Sequence, residues 1–157
     1  MPIHFKIATP GDADTIGTLV VELTREICLL TKAKHFDLDL TGTISCCRSL
    51  LSQGHYQAII AFVEQKPIAV ATMAETYALY AGGKMGIVPE FYVEPNYRSS
   101  GCGSQLLAQV KEYGGAQAWS CLELCTPPLP EFERTMMFYQ NNGLTPVGGR
   151  KMRIMLG

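Results

Sequence analysis

The chain has almost no net charge: over 157 residues, 13 lysines and arginines stand against 14 aspartates and glutamates, a formal −1. A nucleic-acid binder normally carries a basic face, and no basic run supplies one here. The same lack makes an acidic peptide an unattractive partner. No apolar run is long enough to span a bilayer, so no membrane association is expected. The opening Met1-Pro2-Ile3-His4-Phe5-Lys6 lacks the basic-then-apolar layout of a signal peptide, which leaves a cytoplasmic protein as the expectation. No CxxC pair joins the six cysteines, at 28, 46, 47, 102, 121 and 125. His4, His35 and His55 lie far from them in sequence, so zinc spacing is absent and no metal is expected. Most of these thiols should be buried and reduced, because a free cysteine behaves as a small hydrophobe. Cys121 and Cys125 would share a strand face too far apart to bond each other. Repeats, low-complexity segments and linkers are also missing. Residues 1–157 therefore read as one domain, and 47% apolar content is enough for a real core.

What is present is an alternation of strand and helix patterns. Ile3 to Ala8 reads as a strand, and Thr9 or Asp12 caps a helix running to about Cys28, with Ile16, Leu19, Val20, Leu23 and Ile27 on one face. A weaker helical pattern covers Thr41 to Gln53, with Ile44, Cys47, Leu50 and Leu51; Leu29 to Leu40, with His35 and Phe36, connects the two. Tyr56 to Val63, Ile68 to Tyr80 and Met85 to Val93 read as strands joined by Glu64–Pro67 and Ala81–Lys84. A helix carrying Leu106, Leu107 and Val110 follows and stops at Gly114-Gly115. Trp119 to Cys125 is a fifth strand. Phe132, Met136 and Tyr139 mark a last helix closed by Asn141-Asn142-Gly143, and Val147 to Leu156 a terminal strand. The order predicts an α/β fold: one mixed sheet, antiparallel in its first half and flanked by helices. The unit from 86 to 125 should cross right-handed and set strands four and five parallel.

Between that fourth strand and its helix stands Arg98-Ser99-Ser100-Gly101-Cys102-Gly103-Ser104. A strand, a Gly-rich turn with an arginine and hydroxyls, and a helix start make a phosphate cradle, since free N–H groups and the helix dipole attract an anion. It is no Walker loop, because G-x-x-x-x-G-K-[ST] is missing. It is no dinucleotide fingerprint either, because only one Gly-x-Gly occurs, late in the chain and after hairpins.

Val93-Glu94-Pro95-Asn96-Tyr97-Arg98-Ser99-Ser100-Gly101-Cys102-Gly103-Ser104 resembles the coenzyme A signature of the GNAT superfamily of acetyl-coenzyme A-dependent N-acetyltransferases, Arg/Gln-x-x-Gly-x-Gly/Ala after a V-x-P-x-[YF] lead. Phe138-Tyr139-Gln140-Asn141-Asn142-Gly143-Leu144 resembles that superfamily's late F-Y-x-x-x-G-F segment. Leu144 replaces the usual Phe, and the asparagine often found early in the last helix is absent, Phe132 and Glu133 falling there. The resemblance spans nearly the whole chain and speaks for fold and cofactor, hardly for acceptor. It implies a GNAT-like acyl-CoA N-acyltransferase fold with strands four and five parallel and splayed. Members of the superfamily often dimerise, so it also allows a homodimer.

By that resemblance, the amides of Ser99, Ser100, Gly101, Cys102, Gly103 and Ser104 hold the pyrophosphate of acetyl-coenzyme A, with Arg98 beside it. The pantetheine arm runs along the splayed backbone of Phe91, Tyr92 and Val93, and the Val93 amide or a neighbour faces the thioester oxygen. Pro89 marks either a bulge in strand four or the place where that strand begins. An alkylammonium acceptor must lose a proton before it attacks. Glu90, on a face with Val88 and Tyr92, is the candidate base, through a water; the alternative is a solvated or lysine-paired carboxylate. Tyr139 is the candidate acid for the departing thiolate, or else simply continues the Phe132–Met136 core stripe. Cys102, a thiol at a helix start, could in principle act as a nucleophile, but no histidine is near it in sequence.

The expected activity is direct transfer of acetyl to the primary amine of a small molecule, polyamine- or aminosugar-like, or of a peptide. The acceptor would touch the first two helices, the Lys32–Leu40 connection and the Tyr77–Lys84 turn. Glu22, Glu26, Asp37, Asp39 and Glu75 would favour a cation, unless they form a solvated acidic face. The alternative is a non-catalytic acyl-coenzyme A sensor or binding subunit; a third reading puts a different phosphate ligand in the cradle.

Overall fold

Strand β1 (Ile3–Ile7) is followed by a tight turn in which the Asp12 carboxylate accepts the Thr9 N–H at 2.8 Å. That turn launches α1 (Ala13–Thr31), whose Ala13, Ile16, Leu19 and Val20 are buried. The computed structural model describes residues 2–32 and 39–157. The Asp39 carboxylate caps α2 (Leu40–Ser52) by accepting the Gly42 N–H. The hairpin β2 (Gln57–Val63) and β3 (Lys66–Ala78) leads into β4 (Gly83–Ile87), β5 (Phe91–Val93), α3 (Cys102–Ala116), β6 (Leu122–Glu123) and α4 (Glu133–Asn141).

All strands form one sheet, ordered β1-β2-β3-β4-β6, with β5 also on β3. Every pairing is antiparallel except β4 with β6, which is parallel. The mixed fold, with its parallel pair late in the chain, is the architecture the sequence predicts. Alternation along β2 and β3 divides the core between two faces. Ile59, Ala61, Ile68 and Ala71 pack with Leu106, Leu107 and Val110 of α3 and Tyr139 of α4. Ala58, Ile60, Val70 and Tyr92 pack with α1 and with Cys47 of α2.

Several boundaries differ from the sequence reading. The first helix extends to Thr31, because Leu29-Leu30-Thr31 contains no breaker and Lys32 supplies the left-handed stop at φ 55°. The fourth strand is two pieces, β4 and β5. The fifth shrinks to Leu122–Glu123, and no strand forms over 147–156, where Val147, Met152, Ile154 and Leu156 are exposed; alternation proposes a strand, but only a partner edge makes one. The helix after the cradle does not stop at Gly114-Gly115 but continues to Ala116. The cysteines are not mostly buried either: Cys47 and Cys102 are, Cys28 is intermediate, and Cys46, Cys121 and Cys125 are exposed. Cys46 lies on the outer side of α2, and Cys121 and Cys125 flank the shortened β6 instead of sitting inside a strand.

Trp119 explains why glycine occupies two of these positions. Its indole lies where a Cβ on Gly86 would come within 2.2 Å, and one on Gly114 within 2.7 Å. The ring thereby wedges the β4–β6 pair, where Gly86 is opposite Leu122, against the end of α3. Gly86→Ala should lower stability by about 1–3 kcal/mol through overpacking. A thermal melt would show this as a drop of several degrees; an unchanged Tm would mean that the indole is free to move away.

Candidate active site

The break between β4 and β5 creates the site. Ile87 pairs with Ala74 and Phe91 with Ala71, so Val88, Pro89 and Glu90 stand opposite only Thr72 and Met73. That is a bulge, with Pro89 inside it, where no ladder N–H is required. Before the bulge, β4 is held to β6, and the Val88 N–H still donates to the Glu123 carbonyl at 3.0 Å. After it, β5 pairs with β3 alone. The two parallel strands therefore part, and β5 has an open edge.

Strand alternation decides what lines that edge. The Glu90 carbonyl and the Glu94 N–H both bond to β3, with Thr72 at 2.9 Å and Ile68 at 2.8 Å. The N–H groups of Phe91 and Val93 must then point the other way, into the gap. The Val93 carbonyl, on the same side, accepts from Arg98 Nε at 2.8 Å.

The cradle lies at the mouth of this gap. Ser99 and Gly101 both adopt positive φ, 64° and 86°, and Gly101 caps α3. The first helical bond runs from Gln105 N–H to the Gly101 carbonyl at 3.0 Å, which leaves the amides of Cys102, Gly103 and Ser104 without helical partners. These amides suit an anionic group, so the residues present fit a coenzyme A pyrophosphate. Cys102 contributes its amide only: its thiol is buried in the core and burial pushes its pKa up, the opposite of an activated nucleophile.

Arg98, immediately before the cradle, is bonded to other elements of the protein. Its guanidinium makes two bonds to Glu26 of α1, at 2.7 and 3.1 Å, and lies over the Tyr92 ring at 5.5 Å. It straps α1 to β5.

Glu90 and Tyr139 take opposite faces of the strand. Glu90 lies on the α1–α2 side, half-buried, with its carboxylate bonded by the hydroxyls of Tyr56 and Thr72. Its partners among the described residues are these hydroxyls, not a lysine. Tyr139 lies on the α3–α4 side, edge-on to the Phe91 ring with centroids 5.9 Å apart. Burial pushes its pKa up to about 12. Among the described residues no buried side-chain polar atom lacks a partner, and the Tyr139 hydroxyl makes no bond to them, so it is not sealed from solvent. The two faces meet at the open edge of β5.

The expected acidic acceptor face is largely committed to internal contacts. Glu22 pairs with Arg25, Glu26 with Arg98, Asp39 caps α2, and Glu75 accepts from Trp119 Nε1 at 2.9 Å. His35, Phe36 and Asp37 lie outside the described residues. The Tyr77–Lys84 turn is at the end of β4 away from the bulge. A cleft of about 800 Å³ runs between α1 and Pro67, Tyr92 and Glu94, and includes neither Glu90 nor Tyr139.

Sequence reasoning missed Tyr56 and Thr72. Thr72 left a signal, as the one polar side chain in the apolar run Ile68–Ala74; it is 1% exposed. Tyr56 left none.

A family model described as an acetyltransferase (GNAT) domain matches residues 54–145, which hold the bulge, the cradle and α4. The chain belongs to the GNAT acetyltransferase family. It is therefore an acyltransferase, and the donor used by its family is acetyl-coenzyme A. Solved structures show the same fold at low identity. The aminoglycoside N-acetyltransferase AAC(6')-Iy, in complex with coenzyme A, aligns over 98% of this chain and 95% of its own at TM-score 0.80 and 15% identity. An integron cassette protein from the mobile metagenome of Cole Harbour Salt Marsh aligns over 98% and 90% at TM-score 0.79 and 20% identity. The ribosomal-protein-alanine N-acetyltransferase of Brucella melitensis biovar Abortus 2308 covers 98% and 100% at TM-score 0.72 and 17% identity. No curated protein matches this GNAT chain. Among its described residues, no helix is long and apolar enough to cross a membrane.

Proposed function

We propose that the protein is an N-acetyltransferase that moves acetyl from acetyl-coenzyme A directly to the primary amine of a small molecule, with Glu90 as base and Tyr139 as acid. The observation that carries this reading is the open edge of β5, with a carboxylate on one face, a tyrosine hydroxyl on the other and unpaired helix amides at its mouth.

Acetyl-coenzyme A, when bound, supplies a thioester open to attack by an amine. The amides of Cys102, Gly103 and Ser104 would hold its pyrophosphate as fixed dipoles that need no reorganisation. The Phe91 and Val93 N–H groups would line its arm, and the Val93 N–H would donate to the thioester oxygen as negative charge grows there. The Glu90 carboxylate takes the proton that an alkylammonium must lose, directly or through a water. Tyr139 keeps its proton at neutral pH and donates from Oη toward the sulfur.

Mixing the protein with acetyl-coenzyme A and an amine panel tests this. The panel holds a polyamine, an aminosugar and an alanine-terminated peptide, and free thiol is followed. Coenzyme A at 100 times its Kd should stabilise the fold by about 2.7 kcal/mol in a melt, and at least one small amine should release thiol. Stabilisation without thiol release from any amine would favour the sensor reading. No stabilisation at all would mean that a different phosphate ligand fills the cradle.

A further inference from the structure

We propose that Tyr56 and Thr72 are positioning residues that direct proton uptake to a single oxygen of Glu90, Oε2. The proposal rests on Glu90 being the base.

Thr72 sits where β3 changes partner, from β4 over Ala74–Ala78 to β5 over Ala69–Ala71. Its backbone N–H donates to the Glu90 carbonyl at 2.9 Å, and its Oγ1 accepts the Glu90 N–H at 3.0 Å. The single hydroxyl hydrogen of Thr72 is then directed to Glu90 Oε1, its nearest acceptor. Tyr56, at the entrance to β2, places its hydroxyl 3.1 Å from Oε1 and 3.4 Å from Oε2. Both donors lie nearer Oε1, and Oε2, reached only by Tyr56 at 3.4 Å, is the oxygen left for an incoming proton. Three backbone and side-chain bonds between Thr72 and Glu90 fix the bulge and hold the carboxylate in one orientation.

Donors to a carboxylate stabilise its charged form. The other groups around it are Cys47 of α2, with Cys46 and Arg48 on either side of it in sequence. Burial, reinforced by the Glu90 charge, pushes the Cys47 thiol up to about 11, so it stays neutral at working pH. Tyr56 cannot replace Glu90 as base: burial first, and then the neighbouring carboxylate, hold its hydroxyl protonated well beyond the ordinary tyrosine range.

The test compares the wild-type protein with Tyr56→Phe, Thr72→Ser and Glu90→Gln. The readouts are kcat and KM for a responsive amine and the KM for acetyl-coenzyme A. Tyr56→Phe removes a hydroxyl that orients the carboxylate and should lower kcat by about tenfold. Thr72→Ser keeps the hydroxyl and should keep the wild-type kcat. The KM for acetyl-coenzyme A should not move in either variant. A wild-type kcat in Tyr56→Phe would overturn the positioning role while leaving the base intact. Full activity in Glu90→Gln would overturn the base reading itself, and this proposal with it.

Discussion

Glu90→Gln is expected to lower kcat/KM for the amine by about 10²–10⁴-fold, the usual contribution of a positioned general base. Glutamine preserves the shape of the side chain and its place in the bulge, and removes only the ability to accept a proton. The hydroxyls of Tyr56 and Thr72 can each turn to accept from the new amide, so the fold should be retained and a melt should show little change. The pH dependence discriminates further. In Glu90→Gln the residual rate should climb with pH as far as the free amine becomes available in solution, towards a pKa of about 10. Coenzyme A binding should be unaffected, since the cradle amides belong to α3. Near-wild-type turnover would remove Glu90 from the chemistry.

Tyr139→Phe should cost about 10²-fold or more in kcat while leaving the KM for acetyl-coenzyme A close to wild type. The ring is packed against Phe91 and Phe138, with centroids 5.9 and 5.3 Å away, and phenylalanine keeps both contacts. Among the described residues the hydroxyl has no hydrogen-bond partner whose loss would unsettle the fold, so stability should change by less than about 1 kcal/mol. Kinetics and stability thus separate the chemical role from the core role, both of which the sequence offers. Falling stability with unchanged turnover would leave Tyr139 as core alone. Because its pKa lies near 12, the hydroxyl should remain a donor across the working range, and the wild-type profile should show no alkaline limb from Tyr139 below about pH 10.

How legible the site was depends on the range of the interaction involved. The cradle could be read because it is local: Gly101 at φ 86°, the helix start and the preceding strand follow one another in sequence. Glu90 and Tyr139 stood out through their spacing from apolar neighbours and through motif resemblance. The fate of Arg98 could not be read, because its guanidinium is claimed by Glu26, 72 positions away. The partners of the acidic residues were hidden for the same reason. Their carboxylates found Arg25, Arg98, Trp119 and a helix cap, and all but the first contact and the cap cross between elements. Tyr56 is invisible in sequence, since nothing local distinguishes a tyrosine before a strand from one that bonds a carboxylate 34 positions on.

The sequence by itself determined most of the order of elements, the mixed sheet and a glycine-rich helix start whose free amides suit an anion. Each of these is written in short-range periodicity and in backbone conformations that particular residues favour. Only the tertiary structure decided that strand four breaks at Pro89, that β5 is left with an open edge, and that the hydroxyls of Tyr56, before β2, and Thr72, in β3, hold the Glu90 carboxylate. The physical reason is that a strand edge and a buried carboxylate are both defined by their partners. Those partners are chosen by sheet register and packing over long stretches of chain, which local pattern does not encode.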